Sequence, residues 1–138
     1  MMSQFTREAA ESRDESGATL VLAPTEQAPA QARRFVAARF AAWGVADDLA
    51  GRTIASELVT NALLHGEGPI VLRVFQDERD GLPTIEVWDG GAGQPVVQPQ
   101  NCGAIGGRGL HLVAGLAHDW GTRPLLEGGK LAWAKCGL

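Results

Sequence analysis

The sequence predicts a two-layer α/β (α+β) sandwich, in which helices cover one face of a mixed, mostly antiparallel sheet. Its 138 residues, 45% of them hydrophobic, are enough for one core and too few for two. Segments with helical spacing and short β-prone runs follow each other as strand, two helices, two strands, helix and two strands. The strands alternate apolar with polar residues in part, as expected for a sheet with one covered face.

The N-terminal segment, residues 1–16, is polar, charged and poor in large apolar side chains, which predicts a disordered tail. The folded domain is predicted to span residues 17–138. It opens with a β-prone run at residues 18–22, which Pro24 ends. We expect a strand there, close to a sheet edge.

Two helices are predicted to follow this strand. Pro29 suits the first turn of a helix, and apolar residues then recur at helical spacing until Gly44, a suitable C-terminal cap. Asp47 or Asp48 can cap the second helix. Its pattern continues to residues 65–66.

A pair of strands is predicted next, at residues 70–75 and 84–88. Asp80 and Gly81 lie between them and are typical of a tight turn. The two strands are therefore expected to form a hairpin.

The last third of the chain contains many glycines. Residues 94–105 hold prolines and amides without periodicity, which predicts a mobile loop. A third helix is expected to start at residue 106, and short strands are expected around residues 118–122 and 130–135.

Composition excludes several classes of function. The net charge of -4 and the pI near 5.3 argue against a nucleic-acid surface, which normally carries a basic stripe. No apolar run approaches the roughly 18 residues that a membrane span needs, and residues 1–16 lack the apolar region of a secretory signal. Cys102 and Cys136 are expected to be free thiols in a reducing cytoplasm, although one disulfide is the alternative.

A polar stripe on the second helix is the first candidate site. Glu57, Asn61 and His65 recur every four residues, which places them on one helical face beside apolar positions. A carboxylate and a carboxamide one turn apart offer oxygen ligands to a hard cation such as Mg²⁺. The alternative is an amphipathic helix whose polar residues are merely solvated.

A second candidate lies where the hairpin's second strand ends. Asp89 is followed by Gly91 and Gly93 at the second and fourth positions. Such a carboxylate can accept a hydrogen bond from an exocyclic amine, and the absent side chains let a flat ring approach the backbone. An ordinary Asp-Gly turn is the alternative.

The third candidate opens the third helix as Gly106, Gly107, Arg108 and Gly109. Successive backbone N–H groups at a helix start can bind an anion. The segment lacks the Lys-Ser/Thr ending of a P-loop, so a plain flexible helix start is the alternative. Together, however, the three candidates supply contacts for Mg²⁺, a base and phosphates, which are the parts of Mg·ATP.

Three sequence motifs carry a family resemblance. SELVTNALLHG at residues 56–66 resembles the N box of the GHKL (Bergerat-fold) ATPases, and WDGGAG at 88–93 and GGRGLHLV at 106–113 resemble their two glycine boxes. The resemblance covers about residues 18–135. Within the family, the chain is most similar to the bacterial anti-sigma-factor serine/threonine kinases.

The resemblance implies a role for each matching residue. Asn61 would hold Mg²⁺, and Asp89 would bind the adenine amine. Glu57 would be the general base for a serine hydroxyl of a partner protein. Arg33 matches an arginine that the family uses to contact protein partners. The other implied residues of the ATP site are His65, Gly91, Gly93, Gly106, Gly107, Arg108, Gly109 and Leu110.

The implied function is a cytoplasmic serine kinase that phosphorylates a small anti-anti-sigma (STAS-type) protein and so controls a sigma factor by partner switching. A homodimer is a further expectation, and no direct nucleic-acid or membrane partner is expected. The alternative is a non-catalytic, nucleotide-gated module that sequesters its partner. Glu57 favours the kinase, because a pure nucleotide sensor needs Asn61 but no base.

One departure from the family concerns the last strand. The family commonly has a threonine there, near the adenine, whereas this chain has Lys130 and Leu131 after Gly129. The loss of the hydroxyl is expected either to weaken nucleotide affinity or to be made good by water.

Overall fold

One six-stranded sheet, with the strand order β1-β2-β3-β4-β6-β5, forms the framework of the computed structural model. The structure describes residues 9–13, 17–91, 105–126 and 128–137. Each pairing in the sheet is antiparallel. The strands are β1 (Ala9–Arg13), β2 (Gly17–Leu22), β3 (Ile70–Gln76), β4 (Pro83–Asp89), β5 (Asp119–Pro124) and β6 (Lys130–Lys135).

Helices α1 (Ala28–Ala42), α2 (Leu49–His65) and α3 (Ile105–Leu116) form the second layer. Pro29 lies in the first turn of α1, and Gly44 follows the helix with a φ of 75°, which a glycine adopts without strain. Helix α2 lies between α1 and α3 and also packs on β4. This central position places side chains of α2 such as Leu58 in the core and brings the helix against the sheet.

The core fills the space between the sheet and the helices. Alternate residues of each inner strand, such as Leu72 in β3 and Ile85 in β4, are fully buried against helical residues such as Phe40, Ile54 and Leu58. Burying one such side chain stabilises the fold by about 1.5–3 kcal/mol. The opposite face of the sheet carries an open groove of about 840 Å³ that is partly lined by Trp133.

The predicted fold class is confirmed: helices cover one face of an antiparallel sheet, and the observed elements begin and end within about two residues of the predicted ones. Strand β1 is the exception, because it lies inside the segment that the sequence predicts to be a disordered tail. It pairs along its length with β2. The rest of that segment, and most of the loop predicted at residues 94–105, lie outside the described residues.

Two smaller expectations concern membranes and cysteines. No helix among the described residues is long and apolar enough to cross a bilayer. Cys136 is a buried free thiol, and burial raises its pKa to about 11, so it is a poor nucleophile. Cys102 lies outside the described residues.

Candidate nucleotide site

Asp89, the last residue of β4, is a buried carboxylate on the helix-covered side of the sheet. Its Oδ1 accepts a hydrogen bond of 2.7 Å from the backbone N–H of Gly91 and another of 2.9 Å from the ammonium group of Lys130. A short bond to the N–H two residues later is the local geometry of an Asx turn. The glycine box thus holds the aspartate side chain in place.

Lys130, the first residue of β6, lies directly opposite Asp89 in the β4–β6 register. The two side chains are only 3% and 4% exposed, so this ion pair is buried. The ammonium nitrogen also lies 3.5 Å from the backbone oxygen of His65, the last residue of α2. One lysine therefore connects the ends of β4, β6 and α2.

Glycines make this close approach possible. A Cβ added to Gly66 would lie 2.5 Å from Cγ of Asp89. A Cβ added to Gly91 would lie 2.7 Å from both Cα of Gly66 and Nζ of Lys130. The site therefore accepts no larger side chain at either position without movement.

The polar stripe of α2 ranges from buried to exposed along the helix. Asn61 is 5% exposed, Glu57 is half-buried and His65 is exposed at the helix end. No hydrogen bond joins the side chain of Glu57 or Asn61 to another described residue. The stripe thus leads from the core towards the loop that holds Gly66, beside Asp89.

The donor types on this stripe fit a Mg²⁺ ion that is shared with phosphates. Such an ion takes one or two protein oxygen ligands and keeps the rest of its shell in water and phosphate oxygens. The amide oxygen of Asn61 suits that role, with the Glu57 carboxylate one turn away. Among the described residues, no group of three or more His, Cys, Asp or Glu side chains forms a metal cage.

The predicted phosphate segment lies in the first turn of α3. The helix begins at Ile105, so the backbone of residues 106–109 has helical geometry there. Leu110 is buried and packs into the core, which fixes the start of the helix against the domain. The N–H groups of a helix start attract an anion. Gly93 lies outside the described residues.

Arg33 is exposed on α1 and reaches across to α2. Its guanidinium donates a hydrogen bond of 2.8 Å to the hydroxyl of Ser56, the residue next to Glu57. The structure therefore brings the predicted partner-binding residue close to the N box in space, although 23 positions separate Arg33 from Ser56 in sequence.

Lys130 is the site residue that sequence reasoning missed. The sequence showed it only as a replacement for a threonine. Its charge was nevertheless a signal, because a lysine that precedes a run of apolar strand residues needs a carboxylate partner when it is buried. The identity of that partner depends on the β4–β6 register.

Comparison with known families identifies the domain type. The model of the family described as the histidine kinase-like ATPase domain matches residues 21–131. This range covers most of the chain, so the protein belongs to this family of GHKL-type, ATP-binding domains. Curated proteins provide no match.

Proposed function

We propose that this member of the histidine kinase-like ATPase family is a Mg²⁺-dependent protein serine/threonine kinase of the anti-sigma-factor type. Its substrate would be a serine of a small anti-anti-sigma (STAS-type) protein, and phosphorylation would control a sigma factor by partner switching in the cytoplasm. The observation that carries the proposal is the half-buried Glu57 one helical turn before the buried Asn61.

The residues divide the work of phosphoryl transfer, which depends mainly on positioning and on stabilising charge. Asp89 binds the amine of the base, Asn61 provides an oxygen to Mg²⁺, and the start of α3 supports the phosphates. Bound Mg²⁺ supplies positive charge to the phosphate oxygens. The serine oxygen forms a bond to the γ-phosphorus as the bond to the ADP oxygen breaks.

Glu57 accepts the proton that the serine hydroxyl loses. A positioned base of this kind typically accelerates a reaction by about 10²–10⁴-fold. No hydrogen bond to a described residue occupies its carboxylate, and its half-buried position leaves it accessible to a hydroxyl from outside. A protein that only senses nucleotide has no need of such a group.

Arg33 supports a partner surface close to the base. It is exposed on α1, yet its hydrogen bond to Ser56 holds it beside the N box. A partner that pairs with this guanidinium would thus bring its serine towards Glu57. We propose that the same surface binds the sigma factor, and that a homodimer is the form that does so.

A comparison of Glu57→Gln with the wild type tests the proposal. The STAS-domain proteins of the source organism are expressed one by one, incubated with the kinase and Mg·ATP, and examined for phosphoserine by mass spectrometry. The variant keeps size and hydrogen bonding but lacks a basic carboxylate. We expect unchanged ATP binding and a loss of transfer of about 10²–10⁴-fold.

Glu67→Gln is the matched control, because Glu67 is an exposed carboxylate just beyond the same helix. It should transfer phosphate like the wild type. If the wild type binds a STAS protein but phosphorylates none, the kinase is ruled out in favour of a nucleotide-gated binding module.

A further inference from the structure

We propose that Lys130 is a specificity-determining residue of the nucleotide site. Its ammonium group donates a hydrogen bond to N1 of adenine, the ring nitrogen next to the amine that Asp89 binds. The inference rests on the proposed nucleotide site and adds a second base-contacting group to it. Lys130 would thus do more than neutralise a buried aspartate.

The first reason is that the described residues do not provide acceptors for all the donors of the ammonium. Lysine carries three N–H donors, and buried donors are normally hydrogen-bonded. Nζ of Lys130 makes one short bond, of 2.9 Å to Asp89, and one contact at 3.5 Å to the oxygen of His65, which is at the limit for a hydrogen bond. No other described residue accepts from it.

The second reason is the arrangement of the carboxylate. Both hydrogen bonds that Asp89 accepts from described residues end on Oδ1. An ionised carboxylate has about four acceptor positions on its two oxygens. Among the described residues, Oδ2 of Asp89 therefore accepts no hydrogen bond, and the ammonium donor of Lys130 lies 2.9 Å from Oδ1 of the same carboxylate.

This pair matches the edge of adenine. The base carries its amine donor on the carbon next to the ring nitrogen N1, which is an acceptor. A site with an acceptor beside a donor satisfies both groups together. The pair also lacks the uncompensated charge that would disfavour a neutral base, because the lysine and the aspartate neutralise each other.

The glycine box also leaves space for the lysine side chain. The Cβ that Gly91 lacks would lie 2.7 Å from Nζ of Lys130, so any side chain at residue 91 would displace the ammonium. Gly129, which precedes the lysine, has a φ of 85°, a conformation that other residues rarely adopt. The missing Cβ at Gly91 thus leaves room for the ammonium beside Asp89, and Gly129 allows the backbone of β6 to approach that of β4.

The test compares ATP with 1-deaza-ATP, in which a C–H group replaces the ring nitrogen N1. Titration calorimetry measures the dissociation constants of both nucleotides for the wild type and for Lys130→Met. We expect the wild type to bind ATP more tightly by on the order of tenfold, as for one hydrogen bond to a charged donor. Lys130→Met should bind the two nucleotides equally.

Lys135→Met is the matched control, since Lys135 lies at the other end of β6 and pairs with different aspartates. It should keep the wild-type ratio. The ratio within one protein is independent of any general loss of affinity, and the wild-type measurement needs no variant to fold.

Each other outcome overturns the inference in a recognisable way. Equal binding of ATP and 1-deaza-ATP by the wild type means that no donor reads N1, while the nucleotide site itself stands. A ratio that survives in Lys130→Met assigns N1 to another donor. If the wild type binds no ATP, the proposed nucleotide site fails and this inference fails with it.

Discussion

Strand β6 begins and ends with a lysine, and the two lysines occupy opposite environments. Lys130 lies on the helix-covered face in a single buried pair with Asp89. Lys135 lies at the rim of the open groove and bridges Asp77 and Asp80 at 2.9 and 2.7 Å. Asp80 keeps 37% of its side chain exposed. The same residue type therefore pairs with a buried strand-end carboxylate at one end and with the carboxylates of a turn at the other.

The buried pair of Lys130 with Asp89 and the open cluster of Lys135 with its two aspartates respond differently when one charged partner is removed. At the open end, Arg79 also binds Asp77 at 2.9 Å, so each group has either a second partner or water. At the covered end, Lys130 is the one cation that pairs with Asp89 among the described residues, and both side chains are almost fully buried. Removal of a buried partner leaves an unpaired charge without solvation. Removal of a surface partner costs little, because water solvates the remaining charge.

The largest expected effect follows directly. Lys130→Met should lower the free energy of unfolding by about 3–5 kcal/mol, because Asp89 keeps a buried charge without its partner. Lys135→Met should give a clearly smaller loss. Urea denaturation of the nucleotide-free proteins measures both changes.

Asp89→Asn combined with Lys130→Met provides the control, because it removes both charges and should recover most of the lost stability. If Lys130→Met and Lys135→Met are equally stable, the environments of the two lysines do not differ as described.

The second prediction, of intermediate size, compares Mg·ATP affinity after a substitution on the helix-covered face of the sheet and after one on the open face. Asn61→Ala removes a buried amide oxygen on the covered side, so affinity for Mg·ATP should fall on the order of tenfold, while ATP affinity without Mg²⁺ changes little. Arg73→Gln on the open face is the control and should match the wild type. Calorimetry with and without Mg²⁺ decides, and an unchanged Mg²⁺ dependence in Asn61→Ala removes that residue from the metal site.

The smallest effect concerns acid. Bonds from Arg79 and then Lys135 hold the pKa of Asp77 well below its ordinary value of 3.8, and Lys135 lowers the pKa of Asp80 in the same direction. Lowered folded pKa values mean that the unfolded chain binds more protons. The cluster therefore stabilises the fold fully above about pH 4 and progressively less as the pH falls through the folded values.

The doubly substituted Asp77→Asn/Asp80→Asn protein tests this dependence. Its stability should approach that of the wild type as the pH drops from 4 towards 2. A difference that stays constant over this range would show that the two carboxylates do not titrate as linked groups. Unfolding is followed by circular dichroism at each pH.

Most of the fold could be predicted from the sequence because the spacing of apolar residues indicates which face of a helix or strand is buried. The helical spacing around Phe40 and the alternation around Leu72 follow from the need to bury one face, and both residues are in the core. Strand β1 was not predicted because its pairing with β2 is formed by backbone hydrogen bonds. Such bonds require no particular pattern of side chains. A polar composition therefore did not exclude a strand.

The candidate site likewise has one part that a local sequence pattern predicts and one part that such a pattern does not predict. The stripe of Glu57, Asn61 and His65 follows from the geometry of one helix, which sequence spacing encodes. The pair of Asp89 and Lys130 joins residues 41 positions apart. It depends on the register of two strands and on glycines that permit their approach, neither of which a local pattern contains.

Strand β6 comes after β5 in the chain, yet it lies between β4 and β5 in the sheet. A chain still being synthesised therefore cannot attach β5 to the sheet or neutralise Asp89 until the residues up to Lys135 have left the ribosome. Contacts between residues so distant in sequence form slowly. The buried pair of Asp89 and Lys130 would thus be among the last contacts of the domain to form, and until then the carboxylate would remain in water.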